Sequence, residues 1–118
     1  MKYTISLLGA PTDNRRHIVR RHTNRMIDSS QYRSWKYGAV LQLQSQKRGP
    51  VLVPTFESQL AYRVKIYMAS KRTDQMNYIK GLQDVLKHSG IVEDDKWIFP
   101  ILEPCSIDKV NPRIEITI

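Results

Sequence analysis

Leu60-Ala61-Tyr62-Arg63-Val64-Lys65-Ile66-Tyr67-Met68 sets Leu60, Tyr62, Val64, Ile66 and Met68 against Ala61, Arg63, Lys65 and Tyr67 in strict alternation. Successive side chains on extended backbone point to opposite faces, so this run predicts a long strand with one buried face. Such a strand needs partners. Working outward, Arg113 to Ile118 repeats the pattern with Ile114, Ile116 and Ile118, and Trp97 to Leu102 gives a shorter apolar strand bounded by Pro100 and Pro104. Tyr3 to Leu8 predicts a further strand at the edge or end of a sheet, broken by Gly9-Ala10-Pro11.

Two segments between these strands carry helical spacing. After Asp28, Ser29 and Ser30, whose side-chain oxygens can cap a helix, Tyr32, Trp35, Ala39, Val40 and Leu43 fall on one face and the run stops before Lys47-Arg48-Gly49-Pro50. A second helix is expected from Met76 or Asn77, with Ile79, Leu82 and Leu86 on one face and Gly90 ending it. Thr12 to Arg25 has no apolar period and reads as a solvated basic loop. The predicted order is strand, helix, strand, helix, strand, strand. It implies an α+β (mixed α/β) fold in one domain over residues 1–118, with a mixed sheet packed against helices.

Lys and Arg number 19 against 11 Asp and Glu, a formal charge of +8, which favours a polyanionic partner such as nucleic acid. No apolar run approaches the roughly 18 residues that span a bilayer, and the first ten residues lack the order of a signal peptide, so a cytoplasmic protein without membrane attachment is expected. Cys105 is the sole cysteine, which excludes an internal disulfide and a thiolate zinc cluster. His17, His22 and His88 lack the spacing of a metal set.

The chemistry-bearing stretch is Lys71-Arg72-Thr73-Asp74-Gln75-Met76-Asn77-Tyr78-Ile79-Lys80-Gly81-Leu82-Gln83-Asp84, with Asp94-Asp95 beginning ten residues after Asp84. It resembles the RusA family of Holliday-junction resolvases, which carry a basic residue, then Asp-x-Asp-Asn-x-x-Lys-x-x-x-Asp, then a paired Asp beyond the helix. Asp74, Asn77, Lys80, Asp84, Asp94 and Asp95 match that pattern. Pro11-Thr12-Asp13-Asn14-Arg15 is similar to the family's early Pro-x-x-Asn segment, and Tyr32-Arg33 to its first-helix Tyr-Arg pair, so the resemblance covers nearly the whole chain.

The resemblance implies a RusA-like fold and a homodimeric endodeoxyribonuclease that uses Mg2+, with Mn2+ as a substitute, to make paired nicks in four-way DNA junctions during recombination and repair. It implies Asp74, Lys80 and Asp95 as catalytic residues and Asp74, Asp94 and Asp95 as metal ligands. Phosphodiester hydrolysis calls for such a set, because carboxylates hold a cation that activates water and neutralises developing charge, and a lysine adds fixed positive charge. Arg15, Arg16, Arg20, Arg21 and Arg25, five arginines in eleven positions, are expected to grip DNA phosphates together with Lys71, Arg72 and Asn77. Such relatives often travel with phages, so a bacterial or phage-infected cell is the expected setting.

One position departs from the family. Met76 stands where a second carboxylate is expected, and a soft thioether does not replace an acid on hard magnesium. Glu93 could bring a replacement if its turn is extended, since it then points the same way as Asp95. The alternative function is a weakened or inactive relative that binds branched DNA or a protein partner.

Plainer roles remain open at each residue. Asp74 could cap the second helix, Lys80 and Asp84 could form an exposed pair, and Asp94-Asp95 could be a solvated turn. The arginine run could be a solubilising surface. Tyr32, Trp35 and Trp97 are expected in the core rather than stacked on bases.

Overall fold

The computed structural model describes residues 1–11, 17–19 and 26–118, with side chains from Asp28 onward after the first segment. The nine residues Leu60–Met68 form the central strand, β4, as their alternation requires: Tyr62, Val64, Ile66 and Met68 are buried. Numbered along the chain, the other strands are β1 (Lys2–Ser6), β2 (His17–Val19), β3 (Met26–Asp28), β5 (Ile98–Leu102), β6 (Ser106–Ile107) and β7 (Arg113–Thr117). The principal sheet runs β1-β7-β4-β5, with β6 also paired to β4. It is mixed: β7 lies antiparallel between β1 and β4, whereas β5 and β6 run parallel to β4.

Helix α1 (Ser30–Gln46) and helix α2 (Ile79–His88) pack on the face that carries Tyr62, Val64, Ile66, Ile114 and Ile116, and together they enclose one apolar cluster. Tyr32, Trp35, Ala39 and Leu43 are the buried face of α1, and Ile79, Leu82, Val85 and Leu86 that of α2. Fully burying a Leu or Ile contributes about 1.5–3 kcal/mol, so this stripe holds α2 on the sheet. Gly90 adopts φ +80°, the left-handed conformation anticipated for the helix end.

Helix α1 is also sewn to the outer edge of β1. Gln46 accepts from the Thr4 amide at 2.8 Å and donates to the Thr4 carbonyl at 2.7 Å. Gln42 accepts from the Ser6 amide at 2.9 Å, and the Trp35 indole donates to the Ser6 carbonyl at 2.8 Å. Residues 35, 42 and 46 form one helical stripe, so three side chains stand in for a neighbouring strand.

The α+β reading, the mixed sheet and the two helices are as expected, and several local readings are corrected. Within the stretch read as a basic loop, His17–Val19 is a strand paired antiparallel to Met26–Asp28. Three-residue strands are too short to show a period. Asp28 ends β3 instead of capping α1, and Ser29 alone caps it, accepting from the Tyr32 amide at 3.1 Å. The expected second helix begins as a 3-10 turn, Gln75–Tyr78, before α2 proper. Strand β6 was not anticipated, and β1 and β5 are each slightly shorter than predicted. Trp97 is half-buried against exposed Phe56 and is not a core residue.

Candidate active site

Residues Lys80, Gln83, Asp84 and His88 lie three or four apart on α2, which puts them on one face, opposite the residues that bury the helix. That face is one wall of an open cleft of about 590 Å3. Asp28 from the end of β3, Lys36 from α1 and Asp95 from the turn before β5 complete the lining. Two lysines, a histidine and three carboxylates therefore share one water-accessible space.

Asp84 is the anchor of this cleft. It accepts a hydrogen bond from the Tyr32 hydroxyl and lies 3.0 Å from Lys36 Nζ and 3.7 Å from His88 Nδ1. Burial alone would raise its pKa, but the Tyr32 hydroxyl and the Lys36 ammonium outweigh it and hold the carboxyl below the usual carboxylate range. Lys36 is thus an ion partner of Asp84, His88 lies close to it, and its helix neighbour Lys80 faces the same cleft.

Asp95 has the opposite character. Desolvation and a hydrogen bond with the neighbouring Asp94 carboxyl raise its pKa. Asp94 is held low by that hydrogen bond and, more weakly, by Lys87 at 3.7 Å. Gln83 Nε2 donates to the Asp95 carbonyl at 3.4 Å, tying the acidic turn to α2. The Tyr62 hydroxyl, on the buried face of β4, feels the charge of Asp95 and has no hydrogen-bond partner among the described residues. A buried hydroxyl without a partner costs about 1–3 kcal/mol. Tyr62→Phe should therefore raise the melting temperature by roughly 4 °C, about 1 kcal/mol, in a thermal melt.

The remaining residues singled out from sequence do not line this cleft. Asp74 caps the 3-10 turn: its Oδ1 accepts from the Met76 amide at 3.0 Å and its carbonyl from the Asn77 amide at 3.0 Å. It opens on a separate groove of about 350 Å3 shared with Lys71, Thr73 and Cys105. The structure thus brings Lys80 and Asp95 to one cleft, with Asp94 next to Asp95 in the chain, and places Asp74 and Lys71 in a different groove, so it does not gather Asp74, Asp94 and Asp95 around one point. Arg72 and Met76 are exposed, Asn77 is half-buried, and Glu93 is exposed with its amide bonded to Leu52. Arg15, Arg16, Arg20, Arg21 and Arg25 lie outside the described residues.

Sequence reasoning missed Asp28, Lys36 and His88 as cleft residues. The only sequence signal was the four-residue spacing of Asp84 and His88, because Asp28 and Lys36 arrive from elements far away in the chain.

A divalent cation can be tested against these side chains. Among the described residues no group of three His, Cys, Asp or Glu is arranged around one point for a metal. The donor chemistry nevertheless suits a hard cation, because Asp94 and Asp95 set two carboxylates next to each other in the turn before β5 and Asp95 lines the cleft. Magnesium keeps several of its waters, so two such carboxylates can hold it.

A small α+β domain with a lysine-and-carboxylate cleft on a basic chain has the composition of a phosphodiester-handling protein. The family model for endodeoxyribonuclease RusA matches residues 9–118, and the chain belongs to that family. Membership implies Holliday-junction resolvase activity and binding to DNA junctions, and nucleases of this family are generally divalent-metal dependent. No curated protein matches the chain. Among the described residues, no helix is long and apolar enough to cross a membrane.

Proposed function

We propose that this chain is a magnesium-dependent endodeoxyribonuclease that resolves four-way DNA junctions in recombination and repair. The observation that carries the reading is the shared cleft of Lys80 and Asp95, which sets an ammonium and a carboxylate in one water-accessible space. In this reading Asp94 and Asp95 hold the metal, with Asp74 as a further ligand. When bound, Mg2+, or Mn2+ in its place, supplies an activated water and neutralises charge on the phosphoryl oxygens.

The protein's own groups do the rest. Lys80 sets its ammonium against the phosphate, where fixed charge stabilises the transition state more than the ground state. Asp84, clamped by Tyr32, Lys36 and His88, fixes the α2 face from which Lys80 projects. Lys71, Arg72 and Asn77, with the arginines Arg15, Arg16, Arg20, Arg21 and Arg25, hold the DNA backbone; such contacts position DNA without reading its sequence. A homodimer presents two equivalent sites to the two equivalent strands of a junction. The same proposal places the enzyme in the cytoplasm of a bacterial or phage-infected cell.

Met76 favours a second reading. Met76 is 53% exposed and puts a thioether where the family pattern has a carboxylate, which suits a protein that binds branched DNA with weakened cleavage. A labelled mobile four-way junction, incubated with the protein across Mg2+ and Mn2+ concentrations, separates the two. Paired nicks are expected, with Asp74→Asn at least about a hundredfold slower. Tight binding without nicks at any metal concentration would leave only the binding reading.

A further inference from the structure

We propose that Phe56 is a stacking platform for a nucleobase opened at the branch point of a DNA junction, an inference that rests on the junction-binding reading above. Phe56 is 64% exposed at the tip of the loop between α1 and β4. A phenylalanine so exposed leaves most of the free energy of its burial unrealised. The ring is nevertheless held in place. Trp97 meets it edge-to-face, with centroids 5.3 Å apart and planes at 73°, and Lys96 covers the Trp97 ring at 4.9 Å. Trp97 is therefore the prop, and the free face belongs to Phe56.

The loop below is fixed on both flanks of the acidic turn. On one side Leu52 bridges Val92 in parallel, donating to the Ile91 carbonyl at 3.0 Å and accepting from the Glu93 amide at 2.8 Å. On the other, the Leu60 amide donates to the Trp97 carbonyl at 3.0 Å. Between them, Thr55 and Ser58 exchange backbone hydrogen bonds of 3.1 Å and close the tip as a tight turn. Asp94 and Asp95 lie in the chain between those two attachment points, so Phe56 is carried by the same rigid unit as the carboxylates.

The occupant follows from charge and shape. The chain carries a net +8, and Lys96 stands beside the platform, so an anionic polymer is attracted. Glu57, next to Phe56 in the chain and exposed, would repel a phosphate placed on the tip, but it does not oppose an uncharged aromatic base whose phosphate lies toward Lys96. Stacking is indifferent to base identity and requires an unstacked base, which a branch point provides at less cost than continuous duplex.

The test uses the full chain and a four-way junction with 2-aminopurine at the branch. Binding should quench the probe, and Phe56→Ala should abolish the quench and weaken junction binding about tenfold, leaving duplex affinity and melting temperature unchanged. Phe56→Trp should restore both. An equal quench with Phe56→Ala on a bound junction overturns the platform and spares the nuclease reading. If the junction is not bound at all, the nuclease reading fails, and binding of oligothymidylate then decides: dependence on Phe56 keeps the platform, and no dependence or no binding overturns it.

Discussion

Met76→Asp should give a protein that cleaves junctions on the order of a hundredfold faster at limiting magnesium, the scale on which one electrostatic stabiliser acts in an enzyme. The position is 53% exposed in the 3-10 turn that Asp74 caps, so a shorter polar side chain meets no packing obstacle. A carboxylate there adds a hard oxygen donor close in sequence to Asp74, where the thioether offers a soft one. The substitution should also tighten magnesium binding, read by titration, and lower metal-free stability slightly through repulsion from Asp74, a loss that added magnesium reverses. Little change in rate would show that another carboxylate already serves.

The second large effect concerns stability. Asp84→Asn should destabilise the fold by about 2 kcal/mol, because hydrogen bonds to a charged group contribute about 1.5–3 kcal/mol and the Lys36 ammonium would lose its counter-charge. The pH dependence gives the change its signature. The Asp84 carboxyl is held below its ordinary pKa in the folded protein, so its contribution is fully present above that ordinary value and is lost as pH falls through the lower, folded-state value. The native protein should therefore lose stability below about pH 4 more steeply than the variant. Urea titrations between pH 2 and 6 read this directly. Parallel curves for the two proteins would refute the clamp.

The parts of the fold that sequence made plain are those whose period runs long enough to be read. The nine alternating residues of β4, the Ile114 and Ile116 repeat of β7 and the apolar stripe of α1 each declare a buried face before any partner is known. Strands β2, β3 and β6 are two or three residues long, and pairing rather than pattern makes them strands. The start of α2 was blurred for a related reason. Asp74 does cap a turn, but that turn is 3-10, and the α-helical spacing begins only at Ile79.

At the cleft the same division holds. Lys80, Asp84 and the acidic pair stood out by their match to the family pattern, and Lys80, Asp84 and Asp95 do line one cleft. The partners of Asp84 did not stand out, because Tyr32 and Lys36 lie about fifty residues away and reach it only when α1 packs beside α2. Local spacing reports what one element presents. It does not say which second element will face it.

The glutamines and tryptophan along β1 limit how copies of this protein can meet. A row of unpaired backbone groups is a template for another chain's strand, and on that side Gln42, Gln46 and Trp35 already occupy it. At the opposite margin, the Trp97 carbonyl and the Glu103 amide both bond to β4, so Pro100, at an intervening even position, puts its missing N–H on the outward side. Neither margin is a good template for fibre-like stacking. A concentrated solution of this protein should stay free of sheet-to-sheet aggregates, and an association of two copies would be built from side-chain faces rather than from a shared ladder of strands.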